Sequence, residues 1–280
     1  MKKNLIRIIP KLDIKNGLLI KGINLEGLRI LGKPYDYAKS YYENGADEIM
    51  YLDNVATLYG TNNLKKFIKE TAKKLFIPLT VGGGIKSLNE IEKMLTNGAD
   101  RVSINSASIE NIEFIQKASK KFGSSTIVSH IEYTKIKNKY FISKANGRDL
   151  VNIDPFTWAK KLEDNGSGEI VLTSVNQEGT KSGFDIDIIK KISEKIKIPV
   201  VAHGGAGNFN DVLNVIKKTN IKGVAIASLF HYNNIIKSKT KKIEIGNTYF
   251  LDNAKIKKNK LSIIKRLKFF LKNKGINVNL

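Results

Sequence analysis

The chain has 280 residues, no cysteine, 48 Lys and Arg against 26 Asp and Glu, and a formal net charge of +22. A hydrophobic fraction of 41% excludes global disorder, and zero Cys excludes a disulfide scaffold, Cys-ligated zinc and a thiol nucleophile. The opening MKKNLIRIIPKLDI lacks the apolar stretch and cleavage site of a signal peptide, and no apolar run reaches the roughly 18 residues of a membrane span, so a cytoplasmic address is expected. The basic excess is lysine: only Arg7, Arg29, Arg101, Arg148 and Arg266 are arginine, the residue that bidentate phosphate and base recognition favours. Lys237–Leu280 alone holds 13 basic and 2 acidic residues. Nucleic acid is therefore not the expected partner.

In chain order, short β-branched runs alternate with longer Lys/Glu-rich stretches of helical period. A strand over Arg7–Asp13 precedes a helix over Tyr35–Asn44, Glu48–Asp53 precedes Asn62–Leu75, Pro78–Gly82 precedes Ser87–Asn97, and Arg101–Asn105 precedes Asn111–Phe122. Thr126–Glu132 then pairs with Pro155–Asn165, Glu169–Ser174 with Asp185–Ile196, and Pro199–His203 with Asn208–Lys218, before a last strand over Val224–Ser228. Near-continuous apolar strands are those of a parallel sheet covered on both faces. Eight such units predict an α/β fold, a (β/α)8 TIM barrel spanning 1–280 as one domain. A doubly wound open sheet is the alternative.

An internal repeat favours the barrel. Asn44-Gly45-Ala46-Asp47-Glu48-Ile49 recurs as Asn165-Gly166-Ser167-Gly168-Glu169-Ile170, and Ile77-Pro78 through Gly83-Gly84 recurs as Ile198-Pro199 through Gly204-Gly205, both at an offset of 121 residues. A closed barrel with two-fold half-barrel symmetry accounts for that spacing. Each half carries a Gly-rich turn, at Gly82–Gly84 and Gly204–Gly207, where a backbone without Cβ can approach an anion and offer free N–H groups. The fourth strand of each half ends in small residues, Asn105-Ser106 and Ala227-Ser228. A single Gly triplet is equally a tight βα turn; two at matched positions predict a substrate with a phosphate at each end. Three scattered histidines give no metal-ligand spacing, and Gly204-Gly205-Ala206-Gly207 lacks the spacing and position of a nucleotide-cofactor fingerprint, so no metal and no cofactor are expected.

The segments RIIPKLDIKNGLLIKG, NGADEIMYLD, IPLTVGGGIKSL, GADRVSIN, FGSSTIV, GEIVLTS, EGTKSGFD, IPVVAHGGAG and LKNKGINVNL resemble the HisF family, the cyclase subunit of imidazole glycerol phosphate synthase, over essentially the whole chain. The glycine turns alone also fit the sister isomerase of histidine biosynthesis; RIIP-LD and EGTKSG favour the cyclase side. The resemblance implies a subunit that takes ammonia from a separate HisH-like glutaminase as a heterodimer. The ammonia adds to a bis-phosphorylated ribulosyl intermediate, and cyclisation with elimination gives imidazole glycerol phosphate and an aminoimidazole carboxamide ribotide. The family's two acid/base carboxylates fall on Asp13 and Glu132, a pairing that works when the two pKa values are held apart. Its mobile first-loop lysine falls on Lys21 and its phosphate-binding Gly-Thr on Gly179 and Thr180. Its charged ammonia gate falls on Arg7, Glu48, Arg101 and Glu169, its glutaminase contact on Asp100, and small polar channel residues on Thr80, Ser103 and Thr173. Unrelated strand-start charges are the alternative for the gate.

Several positions depart from the family pattern. Glu132 stands for Asp, Asn176-Gln177-Glu178 for Asp-Arg-Asp, Lys11 for a small apolar residue or Cys, and His203 for Ser. His130 replaces a small residue two positions before Glu132, as a proton relay or a hydrogen-bonded core histidine. A basic insertion over about 237–258 precedes the final helix. These changes cluster at the active-site face, which suggests as an alternative a HisF-like paralogue delivering ammonia to a sugar amidotransferase for acetamidino sugars of surface polysaccharide. A basic scaffold that binds anionic surfaces through its tail is the non-enzymatic alternative.

Overall fold

The computed structural model describes residues 5–54, 65–234 and 262–280; the insertion expected at 237–258 lies outside them. Eight parallel strands close on themselves: β1 (Arg7–Lys15), β4 (Ile49–Asp53), β5 (Leu79–Gly82), β6 (Arg101–Ile104), β7 (Ile127–Ile136), β10 (Glu169–Ser174), β11 (Val200–His203) and β12 (Gly223–Ile226), the last pairing back onto β1. All eight predicted strands are barrel strands, and the open-sheet alternative falls with the β12–β1 pairing, in which Arg7 faces Gly223 and Ile9 faces Ala225. Helices α1 (Pro34–Glu43), α2 (Lys65–Ala72), α3 (Leu88–Thr96), the short α4 (Ser106–Glu110), α5 (Glu113–Phe122), α6 (Pro155–Asp164), α7 (Ile186–Lys195), α8 (Phe209–Lys218) and the short α9 (Ser228–His231) lie between strands, and α10 (Ile263–Asn273) follows them.

Helix starts follow local chemistry. Ser87 and Glu90 form a reciprocal capping box at α3, and Asn208 and Asp211 form another at α8, each satisfying N–H groups that the first helical turn leaves open. These boxes are again 121 residues apart. Lys268 of α10 reaches Asp47 Oδ1 at 2.7 Å, and Ile6 N–H donates to Asn277 O at 2.9 Å, so the last helix seals the N-terminal end of β1.

Two hairpins were not among the predicted elements. β2 (Leu18–Ile23) and β3 (Glu26–Gly32) fold antiparallel from the end of β1, and β8 (Lys139–Lys144) and β9 (Asp149–Val151) from the end of β7. Their turns repeat at the same offset: Asn16 (φ 50°) corresponds to Lys137 (φ 53°), and Asn24 and Leu25 (φ 52° and 65°) to Ala145 and Asn146 (φ 52° and 61°). The repeat therefore includes the first βα connection of each half-barrel. The last strand also ends earlier than expected. β12 stops at Ile226, and Ser228 opens α9, as Ser106 opens α4 in the other half. Asn105 (φ −122°, ψ −89°) and Ala227 (φ −113°, ψ −80°) share one backbone conformation at that switch.

Apolar packing falls into two shells. The larger lies between strands and helices; the smaller is the barrel lumen, where Ile9, Met50, Leu52, Val128, Val171, Val201 and Ala225 meet. Each fully buried aliphatic side chain of this size contributes about 1.5–3 kcal/mol of transfer free energy.

Candidate active site

Strand alternation sends every second residue of β1 inward, and these residues set the levels of the lumen. Arg7 lies at the N-terminal end, Ile9 above it, then Lys11, then Asp13 at the C-terminal mouth. At the lowest level Arg7 and Arg101 each contact both Glu48 and Glu169, with Arg7 Nη1 2.8 Å from Glu48 Oε2. Thr80 Oγ1 donates to Glu48 Oε1 at 2.6 Å. The four predicted gate residues thus form one closed, charge-balanced ring rather than unrelated surface charges. Burial pushes the Glu48 carboxyl up despite both guanidiniums; burial pulls Arg7 down, but Glu169 and Glu48 outweigh it and leave Arg7 raised. Asp100 lies exposed at the same end, with Oδ2 accepting from Leu79 N–H at 2.8 Å.

Above the apolar level a polar layer crosses the lumen. Thr173 Oγ1 is 2.7 Å from His130 Nε2 and 3.0 Å from His203 Nδ1, so the hydroxyl donates to one imidazole and accepts from the other. Burial lowers His130 to about 3 and His203 well below its ordinary value, with Lys11 adding to both shifts. A buried imidazole this reluctant to take a proton fits a hydrogen-bonded core histidine, not a relay that must become imidazolium. Strand-six Thr173, expected beside the channel, is the bridge between them; Ser103 Oγ is buried without a hydrogen-bond partner among the described residues.

At the mouth Asp13 and Glu132 are both buried but differently held. Burial pushes Asp13 up, yet the Lys11 ammonium bonded to it and the nearby Lys21 outweigh that and hold it below the usual carboxylate range. Burial raises Glu132 to about 7, partly offset by Lys11 and by the Gly147 N–H that donates to Oε2 at 2.9 Å. Two carboxyls with separated pKa values are what paired proton transfer requires. Gly147 belongs to the β8–β9 turn, so the unpredicted hairpin holds Glu132. The Asn146-Gly147 pair is a hairpin signal in the sequence. Lys11 was equally legible, two residues below Asp13 on one strand face.

The two glycine turns differ in openness. Gly83, Gly84, Asn105 and Ser106 line a cleft of about 260 Å³ together with Glu132 and His130. A Cβ on Gly83 (φ 107°) would lie 2.3 Å from Asp53 O, so only glycine lets the turn pass there. Asn105 Nδ2 donates to Ser143 O at 3.4 Å while its Oδ1 has no hydrogen-bond partner among the described residues, and Ser106 Oγ accepts from Ala145 N–H at 3.2 Å. On the opposite side Gly179, Gly204, Gly205, Ala227 and Ser228 enclose only about 10 Å³, and Ser228 Oγ is buried without a hydrogen-bond partner among the described residues. Thr180 Oγ1 donates within its own turn to Gln177 O at 2.8 Å. Lys21, expected on a mobile loop, is instead in strand β2 of a hairpin and forms a buried ion pair with Glu178; the Asn16-Gly17 turn starts that hairpin. Among the described residues no group of three or more His, Asp or Glu is placed to hold a metal ion, and no helix is long and apolar enough to cross a membrane.

A closed (β/α)8 barrel with an ion ring at one end of its lumen and two carboxyls at the other defines the class of protein. Residues 7–236 match the family described as histidine biosynthesis protein. The chain is 46% identical over 207 residues, 74% of its length and 98% of the relative's, to the imidazole glycerol phosphate synthase subunit HisF of Legionella pneumophila. It is 44% identical to the subunits of the same name from Lactococcus lactis subsp. cremoris (86% of this chain, 94% of the relative) and Sulfolobus acidocaldarius (80% and 90%). The chain belongs to the HisF family.

Proposed function

We propose that this chain is the ammonia-using cyclase subunit of a glutamine amidotransferase complex, forming imidazole glycerol phosphate in histidine biosynthesis, in the cytoplasm. The observation that carries the proposal is one lumen with the Arg7–Glu48–Arg101–Glu169 ring at its base and Asp13 and Glu132 at its mouth. The ring binds its own charges, so passage requires one arginine to swing aside. Above it Ile9, Met50, Val128, Val171 and Val201 favour neutral ammonia over ammonium, since an unpaired ion in apolar surroundings is costly. At the mouth the substrate's phosphates are held by Gly83, Gly84, Asn105 and Ser106 on one side and by Gly179, Thr180, Gly204, Gly205, Ala227 and Ser228 on the other. That leaves the reacting carbons between Asp13 and Glu132. Lys21 swings from Glu178 to the nearer phosphate. A HisH-like glutaminase docks on the end that carries Asp100, where Leu5, Phe76 and Leu280 are exposed at 43%, 81% and 60%. The relatives are named as subunits, which supports a partner.

The filled level beneath the carboxylates, with Lys11, His130 and His203, favours a second assignment: delivery of ammonia to a sugar amidotransferase. Co-expression with the glutaminase, followed by glutamine-driven conversion of the ribulosyl bis-phosphate, separates the two. Product formation in step with glutamate release supports the cyclase; glutamate release with no imidazole product from a folded complex supports the sugar pathway.

A further inference from the structure

Directly beneath the two mouth carboxyls is a buried cation that the proposed function does not use. Lys11 is 1% exposed and bonds the Asp13 carboxylate through Nζ. Its backbone is fixed as well. His231 Nε2–H donates to Lys11 O at 3.0 Å, which leaves Nδ1 to accept from the Tyr41 hydroxyl at 2.6 Å. The stem of Lys11 therefore rises from an anchored strand, and among the described residues its ammonium has one carboxylate within bonding reach. Glu132, across the mouth, is held by the neutral Gly147 N–H.

We propose that Lys11 is a positioning residue that divides the work of the two carboxyls, holding Asp13 ionised as the one that accepts a proton and leaving Glu132 as the one that carries the proton to be donated. The inference rests on the cyclase assignment above. The titratable groups that bear on Asp13 are Lys11 on its own strand, Lys21 on β2, His130 and Glu132 on β7 and His231 on α9. Lys21 is bonded to Glu178, and burial keeps the three histidines neutral near pH 7. Among the described residues Lys11 is thus the one cation bonded to Asp13. Without it, Asp13 keeps only the influence of Lys21, which is itself bonded to Glu178, and the two buried carboxyls move toward titrating as a pair.

The test uses the full chain labelled with carboxyl-13C aspartate and glutamate, titrated by NMR, with Asp13→Asn and Glu132→Gln assigning the signals. In the unsubstituted protein Asp13 is expected to stay ionised well below the pH at which Glu132 takes its proton. In Lys11→Met, Asp13 is expected to take its proton at higher pH and Glu132 to move upward too. With ammonium as nitrogen donor, kcat for Lys11→Met is expected to fall on the order of a hundredfold, the cost of a misplaced catalytic group, with KM for the bis-phosphate little changed. Lys11→Gln gives the same reading if the methionine variant does not fold. An Asp13 titration that is unchanged by both substitutions overturns the proposal, as does full kcat in either. Shifted titrations in a protein that makes no imidazole product support the clamp and count against the cyclase assignment instead.

Discussion

Lys21 and Glu178, 157 residues apart in the chain, form an ion pair with side chains 1% and 2% exposed. It ties the β2–β3 hairpin to the strand-six loop, where Asn24 N–H also donates to Glu178 O at 2.8 Å and Asn24 Nδ2 to Val175 O at 2.9 Å. Removing one member of a buried pair leaves an uncompensated charge at a cost of about 3–5 kcal/mol, whereas an apolar pair of similar volume is often tolerated. Glu178→Ala and Lys21→Met are each expected to lower the urea unfolding free energy by about that amount, and Lys21→Met/Glu178→Leu to recover most of it. Strictly additive losses contradict a coupled pair.

Glu132 gives a signed pH dependence. Its folded pKa is raised by burial to about 7 from an ordinary glutamate value of 4.5. The folded state thus binds the extra proton, and that contribution to stability is full below about pH 4.5 and lost as pH rises through about 7. A shift of this size corresponds to about 3 kcal/mol. Glu132→Gln, which keeps the acceptor for Gly147 N–H, is expected to be more stable than the unsubstituted chain by up to about 3 kcal/mol at pH 8 and equal to it at pH 4. Its turnover is expected to fall about 10²–10⁴-fold. Thermal unfolding at the two pH values, with one assay of product, checks both.

Arg101 closes two of the contacts in the ring. Arg101→Met leaves Glu48 and Glu169 to share Arg7, and an orphaned buried carboxylate costs about 3–5 kcal/mol. Burial already raises Glu48, and Arg101 is the largest of the opposing influences, so its loss raises Glu48 further. A raised carboxyl is protonated more readily when folded, so the deficit is expected to grow from pH 5 to pH 8. A deficit independent of pH contradicts this.

The histidines pull in the other direction. His130 and His231 are lowered to about 3 and His203 well below its ordinary value, all chiefly by burial. A depressed folded pKa means stability present above about pH 6.5 and lost on acidification, at up to about 1.4 kcal/mol per pH unit for each group. Thr173→Val also strips the hydrogen-bond partner from two buried imidazoles, at about 1–3 kcal/mol each. It is expected to lower the unfolding free energy at pH 7.5 and to move the acid midpoint upward, which a pH series of urea melts resolves.

The barrel was legible because its eight strands are apolar runs such as Ile49–Asp53 and Glu169–Ser174 whose burial is set by composition alone. Arg7, Glu48, Arg101 and Glu169 were legible as a set only through the family resemblance, since nothing local says that four strand starts converge across a lumen. The hairpins were missed although Asn16-Gly17 and Asn146-Gly147 mark their turns, because β1 and β7 continue past the barrel and the apolar pattern thins to exposed residues such as Ile23 and Leu150. Glu132's anchor at Gly147 was lost with them. The Lys21–Glu178 and Lys11–Asp13 pairs depend on three-dimensional register. For the second, the two-residue spacing on one strand already placed both side chains on the same face.

The most direct measurement is steady-state formation of imidazole glycerol phosphate by the isolated chain, supplied with ammonium and the ribulosyl bis-phosphate, beside Asp13→Asn and Glu132→Gln. The expected result is ammonium-dependent product whose rate each substitution lowers by at least about 10²-fold. A correctly folded chain that forms no product, or a rate that neither substitution lowers, contradicts the assignment of the barrel mouth as the cyclase site.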